Sequence, residues 1–289
     1  MELTNDCFNN LTACPWCEAD VNNSKYLYTD AYGSEVIKCK ACELVYAKRR
    51  LNDKGLAIYW DKYSSRVHTS DKTMTAKRDK MYLLDFNYID DFISQEKLAK
   101  KVLDVGCGEG GFLDIFKANG YATYGVEYGH EAAKIAGTCH KVIDGSLPEL
   151  VINEKFDLVV FRGVLQYLPD VKDYINKAYS LIKDGGLLFI TAQPNMSAIG
   201  VKLFKENFVL NVSSTDFIGF NEKILTNYMN KLGAVKLGEK YFYEETPYAD
   251  VKEDILKMAR AINLAREGRK IDFKAPAFYG NMLSLVYKK

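Results

Sequence analysis

The stretch KVLDVGCGEGGF, Lys101–Phe112, runs from an apolar strand pattern directly into a cluster of glycines. Gly106, Gly108 and Gly111 satisfy G-x-G-x-x-G, the spacing found where a dinucleotide lies on a strand–turn–helix unit. Glycines at such a turn let the backbone come close to a ligand at a helix N-terminus. Asp104 changes the reading. A carboxylate two residues before the first glycine would set negative charge against a pyrophosphate away from water, where that repulsion is costly. The loop reads instead as one built for a ligand with a cationic end.

Outward from that loop, apolar runs alternate with amphipathic stretches. Val102–Val105, Thr123–Val126, Leu158–Phe161 and Leu187–Thr191 read as strands, with helices at about 110–118, 129–136 and 171–183 between them. Upstream, residues 74–97 place Met81, Leu84, Phe86, Ile89, Phe92 and Ile93 at helical spacing. Residues 250–267 form a further amphipathic helix, and NMLSLVYKK at 281–289 closes with a strand. This alternation predicts an α/β fold, a doubly wound and mostly parallel sheet with helices on both faces.

Glu127 ends the second strand in YGVEYG and is followed by Tyr128. An acid there accepts hydrogen bonds from both hydroxyls of a ribose, which serves nicotinamide cofactors and S-adenosylmethionine alike. Asp104 separates the two, because the methionine end of S-adenosylmethionine carries an ammonium that a carboxylate helps to hold.

With VLDVGCGEGGF, GVEYG, FDLVVFRGVLQYLPD and LIKDGGLLFITAQPN in that order, residues 74–289 resemble the class I S-adenosylmethionine-dependent methyltransferases. The resemblance implies a Rossmann-like sheet of seven strands and S-adenosylmethionine as the methyl source. Asp104, Gly106 and Gly108 would then cradle the methionine moiety, with Cys107 in the same loop. Glu127 and Tyr128 would serve the ribose, and Asp144, Gly145 and Ser146 the adenine. Arg162 and Gly163 would line the mouth where the methyl group leaves. One departure matters. Many relatives carry Glu-His where this chain has Gln166-Tyr167, so no histidine base is implied at that place. Tyr167, Arg162 and His68 stand as the catalytic candidates, His68 as part of a connector folded over the pocket.

CPWC (Cys14, Cys17) and CKAC (Cys39, Cys42) form two C-x-x-C pairs separated by 21 residues. Four thiolates arriving on two knuckles match a closed tetrahedral Zn²⁺ site, which leaves no open position for chemistry and is therefore structural. Of the other cysteines, Cys107 and Cys139 read as small buried packing residues, and Cys7 as a bystander. The chain thus divides into a zinc-ribbon-like module at 1–50, a connector or lid at 51–73, and the 74–289 domain. A long irregular insertion at 194–222 is placed to cover the substrate.

CKACELVYAKRR followed by Tyr59 and Tyr63 also resembles the entry segment of bacterial methyltransferases acting on sugars or surface-polysaccharide precursors. That resemblance makes a small polar acceptor, with a nucleotide-linked sugar foremost, the expected partner. Two alternatives are a ribosomal or transfer RNA methyltransferase and a non-enzymatic partner-binding protein on a degenerate fold. RNA would call for a basic module, because phosphate contacts dominate such affinity. Residues 1–50 instead hold six Lys/Arg against seven Asp/Glu, and the whole chain has a formal net charge of +1. The intact glycine loop and Glu127 speak against the non-enzymatic alternative. No apolar run approaches the roughly 18 residues of a membrane span. MELTNDCFNN lacks the basic end and apolar stretch of a secretory leader, so a cytoplasmic protein is expected.

Overall fold

The computed structural model describes residues 3–66 and 72–289. The N-terminal module consists of β1 (Phe8–Asn10), β2 (Ser24–Thr29), β3 (Glu35–Cys39), β4 (Val45–Ala47) and β5 (Arg49–Leu51). Two helices follow, α1 (Asp53–Arg66) and α2 (Lys72–Gln95). The alternating part then runs β6 (Lys101–Val105), α3 (Gly111–Ala118), β7 (Ala122–Glu127), α4 (His130–Ala136), β8 (Lys141–Asp144), β9 (Phe156–Arg162), α5 (Val171–Leu181) and β10 (Ile182–Pro194). The remainder comprises α6 (Ile199–Phe204), β11 (Ile218–Gly219), α7 (Glu222–Lys231), β12 (Val235–Lys240), α8 (Val251–Arg266) and β13 (Met282–Lys288).

Seven strands form the main sheet in the order β12-β13-β10-β9-β6-β7-β8. β8, β7, β6, β9 and β10 run parallel, and β13 enters antiparallel between β10 and β12. This is the doubly wound, mostly parallel architecture that the strand–helix alternation predicts. Strand order reverses between β6 and β9, so the connections leaving them diverge and open a crevice at their carboxyl ends. β9 is buried along Phe156–Phe161, as expected of a strand covered on both faces. On one side α2 and α3 close the sheet through Phe86, Phe112, Phe116 and Tyr121, whose rings meet edge-on at 5.0–5.1 Å around Phe116. On the other, Ile175, Ala178 and Leu181 of α5 pack into the buried core.

Two parts of the chain depart from the sequence reading. The connector expected at 51–73 carries a helix at Asp53–Arg66, and the insertion at 194–222 is not a free cover. Its strand β11 pairs antiparallel with β4, with Ile218 opposite Tyr46 and Gly219 opposite Val45, and completes a four-stranded sheet β11-β4-β3-β2. The physical reason lies in β4, whose free edge would otherwise expose unpaired N–H and C=O groups. Trp16 of the first knuckle stacks beside this joint, 5.3 Å from Phe220 and 4.9 Å from Tyr228. Module and α/β domain share one continuous hydrophobic core.

Candidate functional site

A cavity of about 1020 Å³ lies at the carboxyl ends of β6, β7 and β9. Its floor comes from the glycine loop, with Gly106, Cys107 and Gly108, and from Glu127 and Tyr128 after β7. Gly145 and Ser146 after β8, and Arg162, Gly163 and Tyr167 after β9, complete the lower wall. Gly106 adopts φ +76°, and a Cβ there would lie 2.7 Å from Val164 Cγ2. Gly108, at φ +55°, faces open space. Both conformations favour glycine.

Ten of the sequence candidates therefore meet around one cavity. Asp104 and Asp144 do not line it. Asp144 turns outward into an ion pair with His130, because β8 is the sheet's edge strand and its last side chain meets the start of α4 instead. Asp104 sits beneath the loop in the centre of the sheet, 3% exposed, its Oδ1 without a hydrogen-bond partner. Burial pushes its carboxyl up to about 7, a rise that Arg162 opposes and Glu127 reinforces. A buried carboxylate with a free oxygen is costly unless a donor or cation arrives. His68 lies outside the described residues.

Glu127 is held at the cavity floor. One carboxylate oxygen accepts the Gly108 N–H at 2.8 Å and the other the Gly129 N–H at 2.8 Å. Burial raises its pKa, and these backbone donors pull it back. Each oxygen keeps a lone pair, so the carboxylate can still accept from two hydroxyls.

Arg162 donates from Nε to Asp85 Oδ2 at 2.8 Å, and Thr191 donates to the other carboxylate oxygen at 2.7 Å. Its guanidinium lies 4.3 Å over the Tyr82 ring. Burial raises the Asp85 carboxyl, with Arg162 and Thr191 opposing. Arg162 is thus a fixed cation in the wall. A guanidinium keeps its proton, so Arg162 acts by charge and does not serve as a base.

The upper wall draws in part on the segment expected as a connector or lid at 51–73. It consists of Asp53, Leu56 and Trp60 from α1 and Arg78, Asp79 and Tyr82 from α2. No residue of 194–222 lines the cavity, which corrects the expectation that this insertion covers it, since β11 ties the segment to the module. Arg78 is the residue the sequence reading missed. Its Nε is buried without a hydrogen-bond partner. The available signal was the i, i+4, i+7 stripe Arg78, Tyr82, Asp85 on α2, a polar line beside the apolar face.

The four knuckle cysteines converge as their spacing predicts, all sulfurs lying within 4.8 Å of one another. Cys14–Cys42 and Cys17–Cys39 are each 3.6 Å apart. A tetrahedron with metal–sulfur bonds of ~2.3 Å puts its sulfurs about 3.8 Å apart, so the set fits Zn²⁺. The two knuckles share their turn geometry, with Glu18 and Glu43 following the second cysteine of each pair at φ 63° and 67°. Of the remaining cysteines, Cys107 is buried as expected, whereas Cys139 is exposed in the turn that joins α4 to β8 and has no core to enter.

A family model described as "Methyltransferase domain" matches residues 77–236. Ubiquinone biosynthesis O-methyltransferase of Pseudomonas putida is 29% identical over 140 residues, covering 45% of this chain and 59% of that protein. Malonyl-[acyl-carrier protein] O-methyltransferase of Calditerrivibrio nitroreducens is 25% identical over 158 residues, covering 54% of this chain and 60% of that one. The chain thus spans about three fifths of the length of these curated relatives. Among solved structures, magnesium protoporphyrin IX methyltransferase of Synechocystis PCC 6803 superposes with a TM-score of 0.54 at 14% identity, covering 80% of this chain and 98% of that one. At this identity the likeness concerns the fold.

Proposed function

The chain belongs to the methyltransferase domain family, and on that premise we propose that its cavity takes S-adenosylmethionine and presents the methyl group to a small polar acceptor. The observation that carries this reading is Asp104, buried beneath an open glycine loop with one oxygen unpartnered. A cationic ammonium seated on the loop above is attracted by that carboxylate, and a pyrophosphate there would be repelled by it. Arg78, with its unpartnered Nε at the cavity wall, is the matching donor for the methionine carboxylate. Glu127 has the free lone pairs for two ribose hydroxyls. Gly145 and Ser146 stand where adenine would lie, Ser146 fixed by Tyr174 at 2.8 Å.

S-Adenosylmethionine supplies an electrophilic methyl group when bound. The chain's own contribution is position, since holding the acceptor in line can supply much of the rate. Trp60 and Tyr82 of the upper wall, with Tyr167 after β9, exclude water and give the acceptor flat apolar faces. The Cys14, Cys17, Cys39 and Cys42 set would hold Zn²⁺ as a structural ion.

The acceptor that best fits carries a hydroxyl or carboxyl group. The curated relatives above are named as O-methyltransferases, and the cavity is a walled pocket. A nucleotide-linked sugar, expected from the module's resemblance, has no counterpart among those names and stays as the narrower alternative. Among the described residues no helix is long and apolar enough to cross a membrane. Release of S-adenosylhomocysteine from S-adenosylmethionine, followed against catechols, short acyl acids, nucleotide-sugars and ribosomal RNA fragments, tests the acceptor class. Turnover with a small hydroxyl or carboxyl compound is the expected result. Turnover with RNA alone would overturn it.

The Asp104 assignment has a pH signature. A cationic ligand requires the ionised carboxylate, so binding expels a proton wherever the carboxyl is protonated in the empty protein. With a pKa of about 7, affinity for S-adenosylhomocysteine should fall as pH drops below that value. The slope approaches about tenfold per pH unit. Calorimetry in two buffers of different ionisation enthalpy measures both the slope and the proton release. A flat affinity between roughly pH 6 and 8 contradicts the assignment.

A further inference from the structure

We propose that Tyr167 takes the acceptor's proton while passing its own to Asp216 behind it, and that the N-terminal module holds Asp216 in that place. The proposal rests on the methyl-transfer reading above and deepens it.

Tyr167 ends a short turn after β9 and lines the cavity. Its ring stands edge-on to Trp60 of α1, with centroids 5.0 Å apart. A phenol titrates near ~10, so at neutral pH it is a poor base unless its own proton can move on. The Tyr167 turn packs against β11, two residues beyond Asp216, and Tyr167 holds the Asp216 carboxyl down against the rise that burial causes. The Asp216 carboxylate accepts from Thr215 Oγ1 at 3.0 Å and Ser213 Oγ at 3.4 Å. Asp216 does not line the cavity and reaches it through Tyr167.

That geometry makes a two-step relay. As the acceptor's lone pair takes the methyl group, the carbon–sulfur electron pair stays on sulfur. The acceptor's O–H bond breaks and its proton bonds to Tyr167 Oη. The original phenolic proton leaves Oη for a carboxylate oxygen of Asp216. Tyr167 ends neutral, and the positive charge lost from the sulfonium is balanced by protonation of Asp216. Tyr167 is the catalytic residue in this scheme, and Asp216 the residue that positions and discharges it. Burial raises the Asp216 carboxyl, which favours its holding the proton.

The segment carrying Asp216 is fastened to the module along 212–219 and joins the α/β domain at Phe220, whose C=O accepts from Met196 N at 2.8 Å. Tyr28 of β2 donates to Val212 O at 2.8 Å, and Asp30 accepts from Ser214 N at 2.6 Å and Ser214 Oγ at 2.8 Å. Leu51 N donates to Ser214 O and Ala47 N to Phe217 O, each at 3.1 Å. β11 then pairs with β4. The charged groups around this corner are Arg50 of β5, faced by Asp53 and Asp170, and Asp30 and Glu206 near Tyr28. Arg50 binds Pro169 O at 3.0 Å and lies 5.2 Å from the Phe217 ring, tying the module to the Tyr167 loop as well. The module thus grips both halves of the relay.

The test replaces Tyr167 by a difluorotyrosine, whose phenol titrates near neutrality, and follows its fluorine resonance against pH. The titration is run in the full chain carrying Asp216, Asp216→Asn or Asp216→Glu, with S-adenosylhomocysteine binding measured on the same samples. A carboxylate accepting the phenolic proton raises the phenol's pKa, so Asp216→Asn should lower the midpoint by about one pH unit or more. Asp216→Glu keeps the anion and should stay close to the parent. An unchanged midpoint in Asp216→Asn, with S-adenosylhomocysteine still bound, overturns the relay and leaves the methyltransferase reading intact. Absence of S-adenosylhomocysteine binding in the parent protein overturns the reading on which the relay rests.

Discussion

Stripping the metal from Cys14, Cys17, Cys39 and Cys42 is expected to abolish amide protection across residues 3–52, and across 212–219 with them. The effect should be large because structural Zn²⁺ binding is worth roughly 10–16 kcal/mol in small zinc modules, where binding and folding are one event. Three of the module's five strands are only three residues long, β1, β4 and β5, so the ion carries much of what holds them. Residues 212–219 should follow because the hydrogen bonds that leave this stretch go to Tyr28, Asp30, Ala47 and Leu51 of the module and to β4. Strands β6 and β9 belong to the other sheet and should keep their protection. Cys39→Ser should reproduce the loss, since Cys39 is fully buried and a hydroxyl is a poor ligand beside three thiolates. Hydrogen exchange with and without chelator, alongside elemental analysis expecting one zinc per chain, measures this. A metal-free protein with unchanged protection would refute the zinc assignment.

Asp104→Asn should move two quantities in opposite directions. Binding of S-adenosylhomocysteine should weaken by about 10–100-fold, the worth of a hydrogen bond to a charged group. Stability of the empty protein should rise at alkaline pH. The carboxyl's folded pKa of about 7 lies above its unfolded value, so the stability it confers is full at acid pH and is lost as pH climbs through about 7. Above that point the wild type carries a buried, unpaired charge that asparagine lacks. A purely structural acid would lose stability on substitution and leave affinity alone. Calorimetry paired with urea unfolding at two pH values separates the cases.

Much of this arrangement is legible in the sequence, and the reasons differ between its parts. The glycine loop and Glu127 can be read because their neighbours are local: a strand end, a turn and a helix start lie within a few residues of one another. The strands at 158–161 and 187–191 can be read because each carries a continuous apolar run. α1 escaped because its polar residues and aromatics are scattered, with no clean apolar stripe to mark a period. β11 escaped because a two-residue strand carries no alternation at all, and its partner β4 lies more than 170 positions away in the chain. Asp216 was invisible for the same reason, as nothing local ties it to Tyr167. Asp144 was misplaced because a loop acid at a sheet edge can turn either way, and its partner His130 lies on the outer side.

The central claim is that the crevice between β6 and β9 takes S-adenosylmethionine, and titration of the purified protein with S-adenosylhomocysteine and NADH in parallel tests it most directly. One S-adenosylhomocysteine per chain, bound at micromolar strength or about −8 kcal/mol, with no heat from NADH, is the predicted result. Binding of NADH, with neither S-adenosylhomocysteine nor S-adenosylmethionine bound at millimolar concentration, would contradict it.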